Sequence, residues 1–380
     1  MIKSVFFISL LFFFSSKSVV QAQNPEFDFE MDQTLVIGKE KSDSTQYLFS
    51  AIRWVRPNNQ GHILVGGSAS NSIRIYNAQG KFIRSMGRRG RGPGEFYELT
   101  SVDVTDDNQV VVLDRRQSRV SFFDPNGELM RTENVKLSPM SSSHLFATSL
   151  KKDFFVVARI FSDKEVDLLH HYDSSFKQLK DSYLNTYQFY FDSSNALHAA
   201  MSRAPFFKAT VFGKNHIAVV PRVYTGAIAV LNTSSLKEKR FGKPIDDFVT
   251  EYDWNTRHRY TESDETGFGS SSGQSGQYFY KRKGSNFGLV GNINFLLHFY
   301  GLFEEDNIIP YMKIYASDGE LLKTIELSKH GISFISEQTT FSRIPHFLDE
   351  NNMLYIGDYR YKGSYPAVRV FKTNLDELLQ

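Results

Sequence analysis

Residues 87–96 read GRRGRGPGEF: four glycines, one proline and three arginines in ten positions. Three kinds of chemistry use such residues. Glycine loops present free N–H groups to phosphate, arginine forks receive carboxylate, sulfate or phosphate, and clustered cations attract nucleic acid. The phosphate-loop pattern fails here. No Lys-Ser/Thr pair closes the stretch, Glu95 stands where a phosphate needs donors, and no helical period or strand–helix–strand pattern follows. What remains is a bend between strands, with glycines for positive φ and Pro93 to stiffen it. The bend carries Arg88, Arg89 and Arg91, and Arg115 and Arg116 follow in the same unit. These five arginines form a candidate anion-binding group; pairing with Glu95, Asp114 and similar neighbours is the competing reading.

Other residues offer less. Residues 269–273, GSSSG, match the nucleophile-elbow pattern, but that chemistry needs a strained strand-to-helix turn, and this match lies in a Gly/Ser tract. The tract runs into QYFYKRKG, where Tyr278, Tyr280, Lys281 and Arg282 either supply aromatic and cationic contacts for a lid over a ligand or belong to a disordered loop or plain strand ahead of the next inner strand. The ten histidines are scattered with no metal-binding spacing, and His170 and His171 fall on opposite strand faces. DVTDDN, residues 103–108, lacks the glycine and distal glutamate of a calcium loop and reads as a turn. No catalytic residue and no cofactor emerges, although a divalent cation held by several strands at a shared axis is compatible with this pattern.

The elements that must position these residues repeat. Six copies of a strand–turn–strand phrase recur, among them SIRIYNAQGKFIRSMG, RVSFFDPNGELMRTEN and YMKIYASDGELLKTIE. Their anchor residues are Tyr76, Phe123, Tyr172, Leu231, Tyr315 and Phe371, spaced 47, 49, 59, 84 and 56 apart. Another apolar strand precedes each copy, as in HILVGG and QVVVLD, so each unit reads as four antiparallel strands. A single such sheet cannot bury both faces, and six of them stacked radially close a ring. The expected fold is all-β, a six-bladed propeller spanning residues 23–380, with 251–290 as a loop insertion between blades four and five. The sixth unit lacks an outer strand, while FDFEMDQTLVIG, residues 27–38, has no partner; the start of the chain is therefore expected to close the last blade. A hidden seventh blade in the 84-residue gap is the rival arrangement.

Composition narrows the setting. Lys3 and a largely apolar run over residues 5–14 precede the small-residue site ending at Ala22, the layout of a secretory signal peptide, and the run is too short to span a bilayer. Export to the periplasm or beyond, with cleavage near Ala22, is expected, and no later segment has the length of a membrane span. The chain has no cysteine, which removes lipobox, disulfide and thiolate chemistry. Residues 1–22 hold two of the 44 basic residues and no acid, so the remainder balances 42 basic against 42 acidic side chains. A balanced chain gives no reason to seek nucleic acid.

Residues 87–131 resemble the NHL repeat: a Gly-rich turn with Gly92, Gly94 and Phe96, a strand ending in Asp114, then Arg119 before an aromatic strand. Asp358 and Arg369 repeat part of the pattern, and Arg74 stands in the first unit with Gly67 in place of the aspartate. The whole chain resembles bacterial secreted six-bladed propellers of NHL/TolB-like type. That group spans binding modules, lactonases and lyases, so the resemblance implies the fold rather than an activity. The reading that follows is a monomeric, non-catalytic binding module whose long loops gather on one face and receive a protein, an anionic small molecule or a glycan. A metal-dependent, lactonase-like hydrolase or lyase is the alternative, and a structural envelope scaffold the third.

Overall fold

The computed structural model describes residues 27–67, 71–135, 144–147, 153–158, 167–185, 207–243, 245, 249–252, 267–272, 276–304, 307–330, 334–335, 343–358 and 365–379. The cleavage site expected near Ala22 lies outside them. Six four-stranded antiparallel sheets form the ring. From inner to outer strand, blade one is Ile52–Pro57, Ile63–Gly67, Ile73–Tyr76 and Phe82–Met86. Blade two is Leu99–Val104, Val110–Asp114, Arg119–Phe123 and Leu129–Asn134. Blade three is His144–Ala147, Phe154–Val157, Asp167–Tyr172 and Leu179–Asn185. Blade four is Phe207–Phe212, His216–Pro221, Ile228–Asn232 and Lys237–Phe241. Blade five is Gly284–Gly291, Phe295–Glu304, Asn307–Ala316 and Leu321–Glu326. Blade six is Arg343–Leu348, Met353–Asp358, Val368–Thr373 and, outermost, Met31–Ile37 from the start of the chain.

That last pairing closes the ring, and Ile37 stands opposite Val368. Phe29 packs among blades five and six, while Ile37 packs where blade six meets blade one. Asn374 completes the latch: its side chain donates to the Asp28 carbonyl at 2.8 Å and accepts from the Glu30 N–H at 2.9 Å.

The second strands explain why sheets stack rather than stand alone. Their residues alternate between two apolar clusters: Leu64 and Val110 join the cluster between blades one and two, Ile63 faces blade six, and Val111 faces blade three. A strand buried on both faces must be apolar along its body, and VVVL of residues 110–113 and IAVV of residues 217–220 are. Six buried clusters result, one for each contact between neighbouring blades.

Bulges recur around the ring. The inner strand is bulged near its beginning in blades one and two and near its middle in blades five and six, leaving Arg53, Thr100, Phe287 and His346 unpaired in the ladder. A bulge re-aims side chains. The third-to-fourth-strand pairing is also bulged in five blades, which pushes Ile83 and Met130 outward to 40% and 54% exposure.

Two segments are strands rather than loops, among them part of the 251–290 stretch expected as a loop insertion. Residues 299–304 and 307–311 belong to long paired strands of blade five, Tyr300 opposite Tyr311. Within 251–290, Gly284–Gly291 is the inner strand of blade five. Ahead of it, Val249–Tyr252, Gly267–Ser272 and Gly276–Arg282 pair as a separate three-stranded sheet with Gly276–Arg282 in the middle. The serine tract is thus an edge strand rather than a strained elbow. Alternating pairing with two neighbours satisfies the backbone where a free loop would leave it to water.

Candidate functional site

The GRRGRGPGEF stretch joins the outer strand of blade one to the inner strand of blade two, and the NHL-like residues hold it. The Arg119 guanidinium donates to the carbonyls of Arg91 at 3.1 Å, Gly92 at 2.9 Å, and Glu95. The buried Asp114 carboxylate accepts from the N–H groups of Tyr97 at 2.6 Å and Glu98 at 3.2 Å, and from Gln117. A cation thus grips the carbonyls of the connector while an anion grips its N–H groups. Gly87, at φ 70°, allows the ring of Phe96 to pack on the chain; a Cβ there would stand 2.2 Å from it. The glycines serve the fold.

Three of the five arginines are spent on neighbouring acids. Arg88 meets Glu95 at 2.8 Å, and Arg115 and Arg116 share Glu98 at 2.5 and 3.1 Å. The Gly92 N–H and then Arg88 hold the Glu95 carboxyl below the usual range. Arg91 and Arg116 each lie over the ring of Tyr97, at 5.0 and 5.6 Å, while Arg89 is exposed. Tyr278, Tyr280, Lys281 and Arg282 fall in the middle strand of the separate sheet, with Tyr280 opposite Phe268 and Glu251. Of the five arginines, Arg115 is the one that lines the axial cavity among the described residues.

That cavity, about 1200 Å³, is walled by the inner strands of blades one, two, four, five and six. Every inner strand starts at the face of the long loops and ends at the face of the tight turns, so strand position gives axial height. At the long-loop end lie Arg53, Arg115, Lys208 and Arg222, with Glu98 the acid already bridging two arginines. At the tight-turn end lie Asp106, Asp349 and Glu350. Between them Arg56 pairs with Asp103 at 2.8 Å and covers the ring of Phe347 at 4.0 Å, tying blades one, two and six across the wall.

Lys208 differs from the other cations. Burial in the channel wall, reinforced by the Arg222 charge, lowers its ammonium from 10.5 to about 8. Lys208 stands opposite Val220 in the ladder, and Arg222 follows two residues later, so alternation turns both toward blade five. The Arg222 carbonyl accepts from Ser285 Oγ at 3.0 Å and from the Asn286 N–H at 2.7 Å, which fastens this segment to the next blade. Asn286 donates to the carbonyls of Pro221 and Val223, so its Oδ1 accepts from His298 Nε2 at 2.7 Å. Burial, with Lys313 nearby, pushes His298 down to about 3, leaving it a neutral donor. Among the described residues, Lys208 has no ion pair, and no group of three or more His, Asp or Glu is placed to hold a metal ion. A cationic mouth is a poor donor set for a divalent cation.

Lys208, Arg222 and Arg53 do not stand out in the sequence. FFKATVF reads as one more strand, and the only available signal was a lysine among apolar residues that would be buried if that strand were innermost.

A family model described as DUF5128, 6-bladed beta-propeller, matches residues 40–263, more than half of the chain. The chain belongs to this family. Solved structures resemble the DUF5128 ring as well. A Bacteroides fragilis protein described as exported matches at a TM-score of 0.55 and 12% identity, over 90% of this chain and 94% of its own. A duf4221 family member from Bacteroides vulgatus matches at 0.53 and 10%, over 91% and 98%. A virginiamycin B lyase from Staphylococcus aureus is more distant, at 0.43 and 8% over 90% and 99%, and says nothing about activity here. Such likenesses show the fold alone. No curated protein matches the chain.

Proposed function

We propose that this DUF5128 propeller is an exported, non-catalytic binding module that takes an anionic ligand at the long-loop mouth of its axial channel. The observation that carries the proposal is Lys208, a partly buried ammonium that faces the cavity beside Arg222 and has no ion pair among the described residues. A desolvated cation without a counter-charge is costly, and an anion arriving in the cavity supplies what the fold omits. The blade-two arginines, already engaged with Glu95 and Glu98, form an outer rim of which Arg115 alone reaches the cavity. The N-terminal signal pattern and the exported Bacteroides fragilis relative support export. The NHL-like reading is supported by blade two, where Asp114 and Arg119, at the motif's positions, clamp the connector.

Calorimetry with phosphate, sulfate, citrate and a sulfated oligosaccharide, on the parent, Lys208→Met and the double variant Arg88→Ser/Arg89→Ser, tests the proposal. At least one probe should bind the parent, weaken with salt, and lose about tenfold or more on Lys208→Met while changing little in the double variant. Binding that survives Lys208→Met but vanishes in the double variant moves the site to the outer rim and overturns the channel assignment.

A further inference from the structure

We infer that Lys208 is a reactive amine that captures a carbonyl compound bearing an anionic group, as a reversible imine, with Arg222 holding that group. The inference rests on the anion-binding reading above and deepens it by naming the ligand class. Its basis is geometric: two cations on one face of the blade-four sheet open onto a cavity of about 1200 Å³ with no acid among the described residues pairing Lys208. A lysine kept only for structure would snorkel to bulk water or pair with a carboxylate. A lysine desolvated next to another cation is the recurring arrangement of amine nucleophiles. The lowered ammonium, about 8, leaves a fraction of neutral amine at physiological pH.

The step is balanced. The neutral Nζ attacks the carbonyl carbon and the N–C bond forms; the carbonyl oxygen then departs as water, carrying both amine protons, and C=N remains. Water reverses it, so capture needs no oxidant or reductant. Arg222 has the fork geometry for a carboxylate next to the carbonyl, and its backbone is fixed to blade five through Ser285 and Asn286.

The experiment treats the signal-free chain with glyoxylate, pyruvate or succinic semialdehyde in the presence of sodium borohydride, which reduces an imine to a stable secondary amine, and maps adducts by peptide mass spectrometry. Lys208 should be labelled at least about tenfold above any other lysine with one or more of them. Lys208→Arg should abolish that label while binding lactate, which has the carboxylate without the carbonyl, within about threefold of the parent. Lactate binding that depends on Lys208, without preferential trapping by any of the three, overturns the imine and leaves the anion site standing. Preferential trapping without such lactate binding supports the amine and overturns the anion site. Labelling spread evenly over the lysines overturns the imine.

Discussion

Removing the strand Met31–Ile37 should open the ring. A chain beginning at Gly38 loses Phe29 and Ile37, which are 2% and 1% exposed in the closed ring. Burial of such side chains is worth about 2–3 kcal/mol each. The pairing with Val368–Thr373 is lost too, together with both Asn374 hydrogen bonds, at a net of about 1 kcal/mol per bond. The two side chains and the two Asn374 bonds alone amount to about 6–8 kcal/mol, comparable with the whole stability of an ordinary domain, about 5–15 kcal/mol. The truncated chain should therefore be largely unfolded or aggregated, because the exposed edge of Val368–Thr373 is a template for other chains. Urea unfolding monitored by tryptophan fluorescence, with Trp54 packed between blades one and two, gives the assay. Within the full strand, Ile37→Ala should cost about 2–4 kcal/mol, and the exposed Asp32→Ala should stay within about 0.5 kcal/mol. Adding a peptide of residues 27–38 to the truncated chain should restore a folded transition. The closure argument is wrong if the truncated chain unfolds at the parent's urea concentration, or if Ile37→Ala costs no more than Asp32→Ala.

Three further outcomes are expected. Lys208→Met should stabilise the protein by about 1–3 kcal/mol near neutral pH, a range reduced for its partial contact with channel water. The folded ammonium titrates at about 8 against 10.5 unfolded, so the cost is complete below pH 8 and fades toward 10.5; parent and variant melting curves that stay parallel from pH 7 to about 10.5 would refute this. His298 has the same sign at lower pH: its folded value of about 3, against 6.5, means that below pH 6.5 the unfolded chain takes a proton the folded chain refuses. The parent should lose up to about 1.4 kcal/mol per pH unit between 6.5 and 3 that His298→Gln does not lose, and equal acid limbs in urea titrations would speak against it. Arg119→Met should cost about 2–3 kcal/mol by leaving three connector carbonyls without their donor, whereas Arg88→Ser, at a pair where the arginine is 82% exposed, should be near neutral in the same denaturation assay.

The sequence alone determined the ring. Period-two alternation, largely apolar second strands and a recurring turn phrase fix six stacked sheets, because such sheets have no other way to bury both faces. The unpaired FDFEMDQTLVIG and the missing outer strand of the sixth unit fixed closure, because each lacks a partner that the other supplies. The role of GRRGRGPGEF was readable for a similar reason: its clamp, Asp114 and Arg119, lies within 32 residues of it. The channel was not readable. Its wall is made of inner strands from different blades, and bulges at Arg53, Thr100, Phe287 and His346 break the alternation by which a strand's faces are assigned. Lys208 acquires meaning only when the ring sets it on the axis and the Pro221–Asn286 tie brings Arg222 beside it. The tertiary structure alone decided the candidate site, because the cost of an ammonium depends on the water and charges around it, and those come from residues remote in the chain.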